Sequence, residues 1–303
     1  MKLSDLSAEQ FRTHLAADGI YLQTGPFTNR IQTRIPSVIQ NLYQLYQNNT
    51  LSLEPVFADF HIRLEAAKGL RRWMKPQVFF YLDEKIPFKP LPYDQAYPML
   101  EWGMNWCISN HAHQYLILHA AVVEKNEQAI VMPARPGAGK STLTAGLVNR
   151  GWRLLSDELA LICPDTFDLI SLSRPVNLKN DSIEIMKKFA PDAMFSNEVN
   201  DTNKGTVALM QAPAASINQV NEKAKLAYFL IPEYINKQAT QFDRLKKAET
   251  FMHIADNAFN YSLHGLSGYQ SVSKLLDVAD TYQLTYSNLQ EAVDKLDRLV
   301  EQG

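Results

Sequence analysis

The sequence predicts a mixed α/β fold, with a core built on a strand, a glycine loop and a helix, preceded by a smaller α+β region. Three observations predict it. The apolar run Ala129–Met132 leads into Ala134-Arg135-Pro136-Gly137-Ala138-Gly139-Lys140-Ser141-Thr142, and Leu143, Leu147 and Val148 follow at helical spacing. One short helix later, the apolar run Leu154–Ile162 carries two adjacent acids, Asp157 and Glu158. Upstream, residues 1–115 switch between period-two and helical patterns.

The elements follow in chain order. Phe27, Asn29, Ile31, Thr33 and Ile35 alternate with polar residues, as in a half-exposed strand. Pro36-Ser37 then opens a helix with Val38, Ile39, Leu42, Leu45 and Tyr46 on its apolar side. Phe60, Ile62 and Leu64 mark a further strand, and another runs near Gln77–Leu82. The basic cluster Lys68–Lys75 between them reads as a solvated turn or a docking surface for an acidic partner, with nucleic acid the weaker reading. The proline-rich stretch Pro87–Pro98 reads as a linker, and Trp102, Trp106 and Ile108 predict a helix packed on the core. Leu116–Glu124 reads as a strand, with Lys125-Asn126-Glu127 as the hairpin turn into Ala129–Met132. The division expected is 1–113 as the α+β domain and 114–303 as the glycine-loop domain. Leu226–Ile231 predicts another strand, ended by Pro232. Phe251, Ile254, Ala255 and Ala258 suit a helix face. Ser287 or Asn288 caps a last helix with Leu289, Ala292, Val293, Leu296, Leu299 and Val300 inward.

The glycine loop points to a nucleotide triphosphate. Gly137 and Gly139 let backbone N–H groups turn inward around phosphate oxygens, and the following helix aims its positive end at the same place. Pro136, Gly137, Ala138, Gly139, Lys140, Ser141 and Thr142 are therefore the candidate nucleotide-binding residues. Lys140 suits the β- and γ-phosphates, Ser141 suits Mg²⁺ and Thr142 suits the α-phosphate. Ala134 stands where the usual G-x-x-x-x-G-K-[ST] pattern has its first glycine, which a negative φ would allow. A carboxylate inside an apolar run is costly without a partner, and beside a phosphate loop the partner is Mg²⁺ or a substrate hydroxyl.

The acids come one helix after the loop, which is sooner than in most phosphate-loop ATPases. This spacing resembles the HPr kinase/phosphorylase and phosphoenolpyruvate carboxykinase group, and Gly151-Trp152-Arg153-Leu154 stands where HPr kinases have a Gly-His-Arg-Leu-type turn. The chain is more similar still to HPr kinase-related proteins of the HprK-related kinase A family. The segments concerned are Ala58–His61, Glu101–Trp106, Leu118–Ala121, the loop, Ser156-Asp157-Glu158, Arg174–Asn180 and Lys204-Gly205. Glu158 replaces the family's second aspartate, an Arg-Gly-Ile-Gly-type signature is missing, and the N-terminal third has no counterpart in the HPr kinase N-terminal domain.

The resemblance implies an HPr kinase/phosphoenolpyruvate carboxykinase-like phosphate-loop core and an ATP- and Mg²⁺-dependent kinase. In that reading Asp157 is the base, His119 lies close to it to orient it or to sense the γ-phosphate, and Lys140 holds phosphate. Ser141, Glu158 and Asp157 are the metal candidates. Arg174, Lys179 and Lys204 are the phosphate-clamp candidates. The implied acceptor is Ser or Thr on a protein or peptide, and a homo-oligomer is implied because HPr kinases assemble as hexamers. The alternatives are a small-molecule kinase, a non-catalytic ATP-binding regulatory subunit, and an ATPase without an acceptor.

Composition narrows the classes further. The chain has 303 residues, 46% of them hydrophobic, and a net charge of -2, so no general preference for polyanions follows. Two distant cysteines, Cys107 and Cys163, fit reduced thiols better than a disulfide framework. With no signal-peptide core at Met1–Leu6 and no apolar run near the ~20 residues of a membrane span, a soluble cytoplasmic protein is expected. Cys107, His111 and His113 match no zinc spacing, and no nucleophile-elbow pattern occurs.

Overall fold

The computed structural model describes residues 1–69 and 74–301; Leu70–Trp73 of the basic cluster lie outside the described residues. Among the described residues the architecture is mixed α/β, with three sheets. No helix among the described residues is long and apolar enough to cross a membrane.

The first sheet comprises β1 (Ile20–Thr24), β2 (Phe27–Thr33), β3 (Leu51–Ser52), β4 (Phe60–Ala66), β5 (Gln77–Leu82) and β6 (Leu91–Pro92), in the order β3-β1-β2-β4-β5-β6. Alternation in β2 buries Phe27, Asn29, Ile31 and Thr33 on one face. α1 (Ala8–Ala16) starts at a Ser7/Gln10 capping box, and α2 (Pro36–Leu45) starts at its proline. α2 turns Val38, Leu42 and Leu45 onto the sheet, as its sequence pattern predicts. The proline-rich stretch is not a linker throughout: Leu91–Pro92 forms the sheet-edge strand β6. Helix α3 (Ala96–His111) then begins inside the stretch, with Pro98 in its first turn, where a missing N–H costs nothing.

The second sheet is formed by β7 (Leu116–Lys125), β8 (Gln128–Pro133), β9 (Arg153–Ser156), β10 (Leu159–Ile162), β11 (Leu169–Ile170), β15 (Leu226–Tyr234), β16 (Gln241–Arg244) and β17 (Asp280–Tyr286). The β7–β8 hairpin turns through Asn126 and Glu127, both at positive φ, as a two-residue turn requires. Helix α4 (Lys140–Val148) follows β8 across the glycine loop. A third sheet of β12 (Val176–Lys179), β13 (Val199–Thr202) and β14 (Gly205–Met210) stands apart, with α5 (Asp181–Phe189) inserted after β12 and α6 (Ala214–Asn218) after β14. Helices α7 (Lys247–Asp256) and α8 (Tyr261–Val278) cover one face of the second sheet, and α9 (Leu289–Glu301) packs with α4 on the other.

Two strand expectations are corrected. Leu154–Ile162 is not one strand but two, β9 and β10, broken at the acids. Both pieces pair with β7, Ser156 with Val122 and Leu159 with His119, so no register is lost across the break. The side chain of Ser156 replaces the missing ladder partner by accepting from Leu159 N at 3.1 Å. Pro232 does not end β15, which continues to Tyr234. Pairing with β8 is complete by Phe229, so one side of the strand no longer needs an N–H at Pro232.

A single hydrophobic cluster crosses from the first half of the chain into the second. Leu22, Ile62, Phe80 and Met104 share it with Ile117, Leu159, Leu161, Leu172 and Leu209.

Candidate functional site

Strand register assembles the site. Ala120 pairs with Pro133 at the end of β8, and His119 pairs with Leu159. The start of the glycine loop, His119 and the two acids therefore meet at one end of the second sheet.

The loop is held open by its glycines. Gly137 has φ +90° and Gly139 φ +87°, conformations that side chains disfavour. Lys140, 7% exposed, folds back so that Nζ donates to Ala134 O at 3.2 Å and His119 O at 3.4 Å. Burial pushes its ammonium down to about 8, although Asp157 and Glu158 pull the other way. Ala134 keeps a negative φ, so its methyl is accommodated. Ser141 and Thr142 sit half-buried in the first turn of α4.

Two tyrosines that the sequence did not single out clamp this loop. Tyr286 Oη donates to Gly139 O at 2.9 Å, and Tyr234 N donates to Ala138 O at 3.1 Å. They lie at the ends of β17 and β15, with rings edge to face at 5.8 Å. Nothing local in the sequence marks them, because their role depends on parallel pairing of strands far apart in the chain.

The acids differ in environment. Asp157 is 5% exposed; its Oδ2 accepts from Ser141 Oγ at 3.2 Å and Asn177 N at 3.0 Å, while its Oδ1 is buried without a partner. Burial and neighbouring Glu158 push the Asp157 carboxyl up to about 6. Burial acts upward on Glu158 too, but Lys204, Lys179, His119 and Arg174 outweigh it and hold that carboxyl below its usual value. Glu158 accepts from Asn105 Nδ2 through Oε2 and from Asn177 Nδ2 through Oε1, the latter at 3.3 Å. Asn177 thus grips both acids, yet sequence reasoning placed it only in a resembling segment.

The basic candidates divide. Lys179 ends β12 and makes no ion pair among the described residues. Lys204 is an exposed residue of the β13–β14 turn whose Nζ lies 4.9 Å from the Trp102 ring centroid. Shielding there lowers its ammonium, opposed by Glu158 and aided by Lys179. Arg174 differs from the expected free clamp. It is 7% exposed and donates to Asn105 Oδ1 at 2.6 Å, Glu101 O at 3.0 Å and Glu101 Oε2 at 2.6 Å. Its charge is spent on the buried Glu101 rather than aimed at open space.

His119 is half-buried against Phe259, ring centroids 6.0 Å apart. Burial and the charge of Lys140 press its imidazole down to about 4, so it is neutral at ordinary pH. Among the described residues its ring makes no hydrogen bond to Asp157.

A cavity of about 20 Å³ lies between Asp157, Glu158, Asn105, Asn177 and Arg174. Among the described residues no three His, Cys, Asp or Glu side chains converge as a complete metal cage. The unpartnered Asp157 Oδ1, with the Ser141 hydroxyl beside the other carboxylate oxygen, is a hard-oxygen set. Such a set fits Mg²⁺, which takes one or two carboxylates and completes its shell with phosphate and water.

No protein-family model and no curated protein matches the chain. Among solved structures it is similar to the Hpr(Ser) kinase/phosphatase from Coxiella burnetii, at 10% identity over 62% of this chain and 99% of that one, with a TM-score of 0.26. At that score the likeness carries no argument about function.

Proposed function

We propose that the protein is an ATP-dependent kinase that transfers the γ-phosphoryl group to a hydroxyl, with Ser or Thr of a protein or peptide as acceptor. The supporting observation is the buried Asp157 carboxylate, one oxygen tied to Ser141 of the glycine loop and the other without a partner. An unpaired buried acceptor is costly and favours a site completed by a ligand. The acceptor class follows the sequence resemblance.

In this reading the loop N–H groups and Lys140 hold the β- and γ-phosphates, displacing the lysine from the carbonyls of Ala134 and His119. Lys179 and Lys204, whose charges reach Glu158, are the candidates to meet negative charge on the transferring group. Ser141 and Glu158 would hold Mg²⁺, which would neutralise phosphate charge, and this leaves the unpartnered Asp157 Oδ1 free for the proton. The acceptor oxygen forms a bond to the γ-phosphorus as the bond to the β-bridging oxygen breaks, and ADP leaves. Asp157 takes the hydroxyl proton. Arg174 stabilises the site from behind without touching phosphate.

The test is γ-labelled ATP with Mg²⁺ in lysate of the source cell, comparing wild type with Asp157→Asn. The expected result is a discrete labelled protein or peptide with wild type, and transfer lowered by about 10²- to 10⁴-fold in the variant while nucleotide binding persists. Label confined to small molecules would move the reading to a metabolite kinase. Bound ATP with no transfer would make the chain a regulatory subunit.

A further inference from the structure

Helix α3 reaches the acids from the first half of the chain. Glu101 and Asn105 are four residues apart and so share one helix face. Both ends of the Asn105 amide are engaged: Nδ2 donates to Glu158 Oε2, and Oδ1 accepts from Arg174 Nη1 at 2.6 Å. Because a guanidinium only donates, Arg174 fixes which end of the amide faces Glu158. Arg174 is itself fixed by Glu101, and the Glu101 carboxylate also accepts from Tyr46 Oη at 2.9 Å. Tyr46 closes α2, so the chain of bonds begins in the packing of the first sheet.

We infer that Asn105 is a positioning residue: it fixes the Glu158 carboxylate, and through it the cation that accompanies the nucleotide, from an anchor in the first half of the chain. The inference rests on the kinase reading above and assigns a task to a part of the molecule that reading leaves idle. Glu158 is held at one oxygen by Asn105 and at the other by Asn177, so its plane is set before any cation arrives. Such outer partners tune a metal site without touching the metal. A purely structural Asn105 would merely satisfy Arg174 and leave cation binding alone.

The test is calorimetric titration of the full chain with AMP-PNP, in EDTA and at a series of Mg²⁺ concentrations. Wild type is compared with Asn105→Leu, Glu158→Gln and the double variant. Affinity in EDTA is expected to be unchanged in Asn105→Leu, while the Mg²⁺ concentration for half-maximal tightening rises about 10- to 100-fold. The double variant is expected to be no worse than Glu158→Gln alone, because both changes act through one carboxylate. Asn105→Ser, which leaves a hydroxyl for Arg174 but falls short of Glu158, gives the same reading with less disturbance of packing. An unshifted Mg²⁺ dependence in both Asn105 variants, or full additivity with Glu158→Gln, would overturn the inference. Wild type that ignores Mg²⁺ or fails to bind AMP-PNP would remove the kinase reading and this inference together.

Discussion

At the scale of single residues, the glycine loop separates positions that look alike in sequence. Gly137 and Gly139 both have positive φ, but a Cβ at Gly137 meets nothing within 4 Å, whereas one at Gly139 lies 2.5 Å from Tyr286 Oη and 2.9 Å from Tyr234 Cβ. Gly137→Ala is expected to cost about 1–2 kcal/mol, the ordinary penalty for a side chain in the left-handed region. Gly139→Ala should cost more, because the clash adds to the same backbone strain, and it should abolish AMP-PNP binding by breaking the tyrosine clamp. Denaturant midpoints and binding titrations check both, and equal effects at the two positions would mean that the clamp has no part in shaping the loop. Ala134 makes the opposite case. Its φ is negative and its methyl is buried, so Ala134→Gly, which restores the usual motif, should leave affinity unchanged. Its expected effect is a loss of about 0.5–1 kcal/mol of stability through added chain freedom.

At the scale of elements, strong local patterns were legible and weak edges were not. The alternation of β2, the proline opening of α2, the β7–β8 hairpin and the apolar stripe of α9 each have a period or a cap that stands out in the sequence. The sequence offers Ser287 and Asn288 as caps of α9, and the structure selects Asn288, whose Oδ1 accepts from Glu291 N at 3.2 Å while Ser287 bonds Gln238 O instead. Asn288→Ala should cost about 1 kcal/mol and Ser287→Ala less, measured as thermal midpoints. The strand β6 and the edge strands β12 and β13 of the third sheet escaped sequence reading because runs of two to four residues are too short for a period to count. A different kind of support ties β11 down. Asp168, just before it, bonds Thr166, Lys223 and Lys225, and these partners hold its carboxyl well below the usual range. A depressed folded value adds stability above the unfolded value near ~3.9 and loses it as pH falls. Asp168→Asn should therefore be less stable than wild type at pH 6 and converge with it in acid. A stability gap that stays the same from pH 6 down to pH 2 would refute the electrostatic account, which requires it to narrow steadily below the unfolded value.

At the scale of the whole molecule, the glycine loop and the two acids were legible because each is a compact run, while the residues that join them to the rest of the fold were not. Arg174 reads as a phosphate clamp because it falls in a segment that resembles the kinase family, and no local pattern reveals that Glu101, far earlier in the chain, claims it. That pair lies where the two halves share one core, so both charges are desolvated and each depends on the other. Arg174→Met leaves a buried carboxylate without its cation, and the expected loss is about 3–5 kcal/mol. Glu101→Leu strands the arginine and should cost a similar amount. The double variant removes both charges and replaces them with apolar volume, a change that in buried pairs is often neutral or stabilising. It should recover most of the stability, read as a denaturant midpoint near that of wild type. Function should not recover with it, because Asn105 would still lack the guanidinium that orients its amide toward Glu158. Restored stability with a weakened Mg²⁺ dependence would place the value of the pair in aligning the site across the two halves. Restored stability with wild-type Mg²⁺ dependence would reduce it to a replaceable core contact, and a double variant as unstable as either single one would show that the network holds the halves together by more than charge.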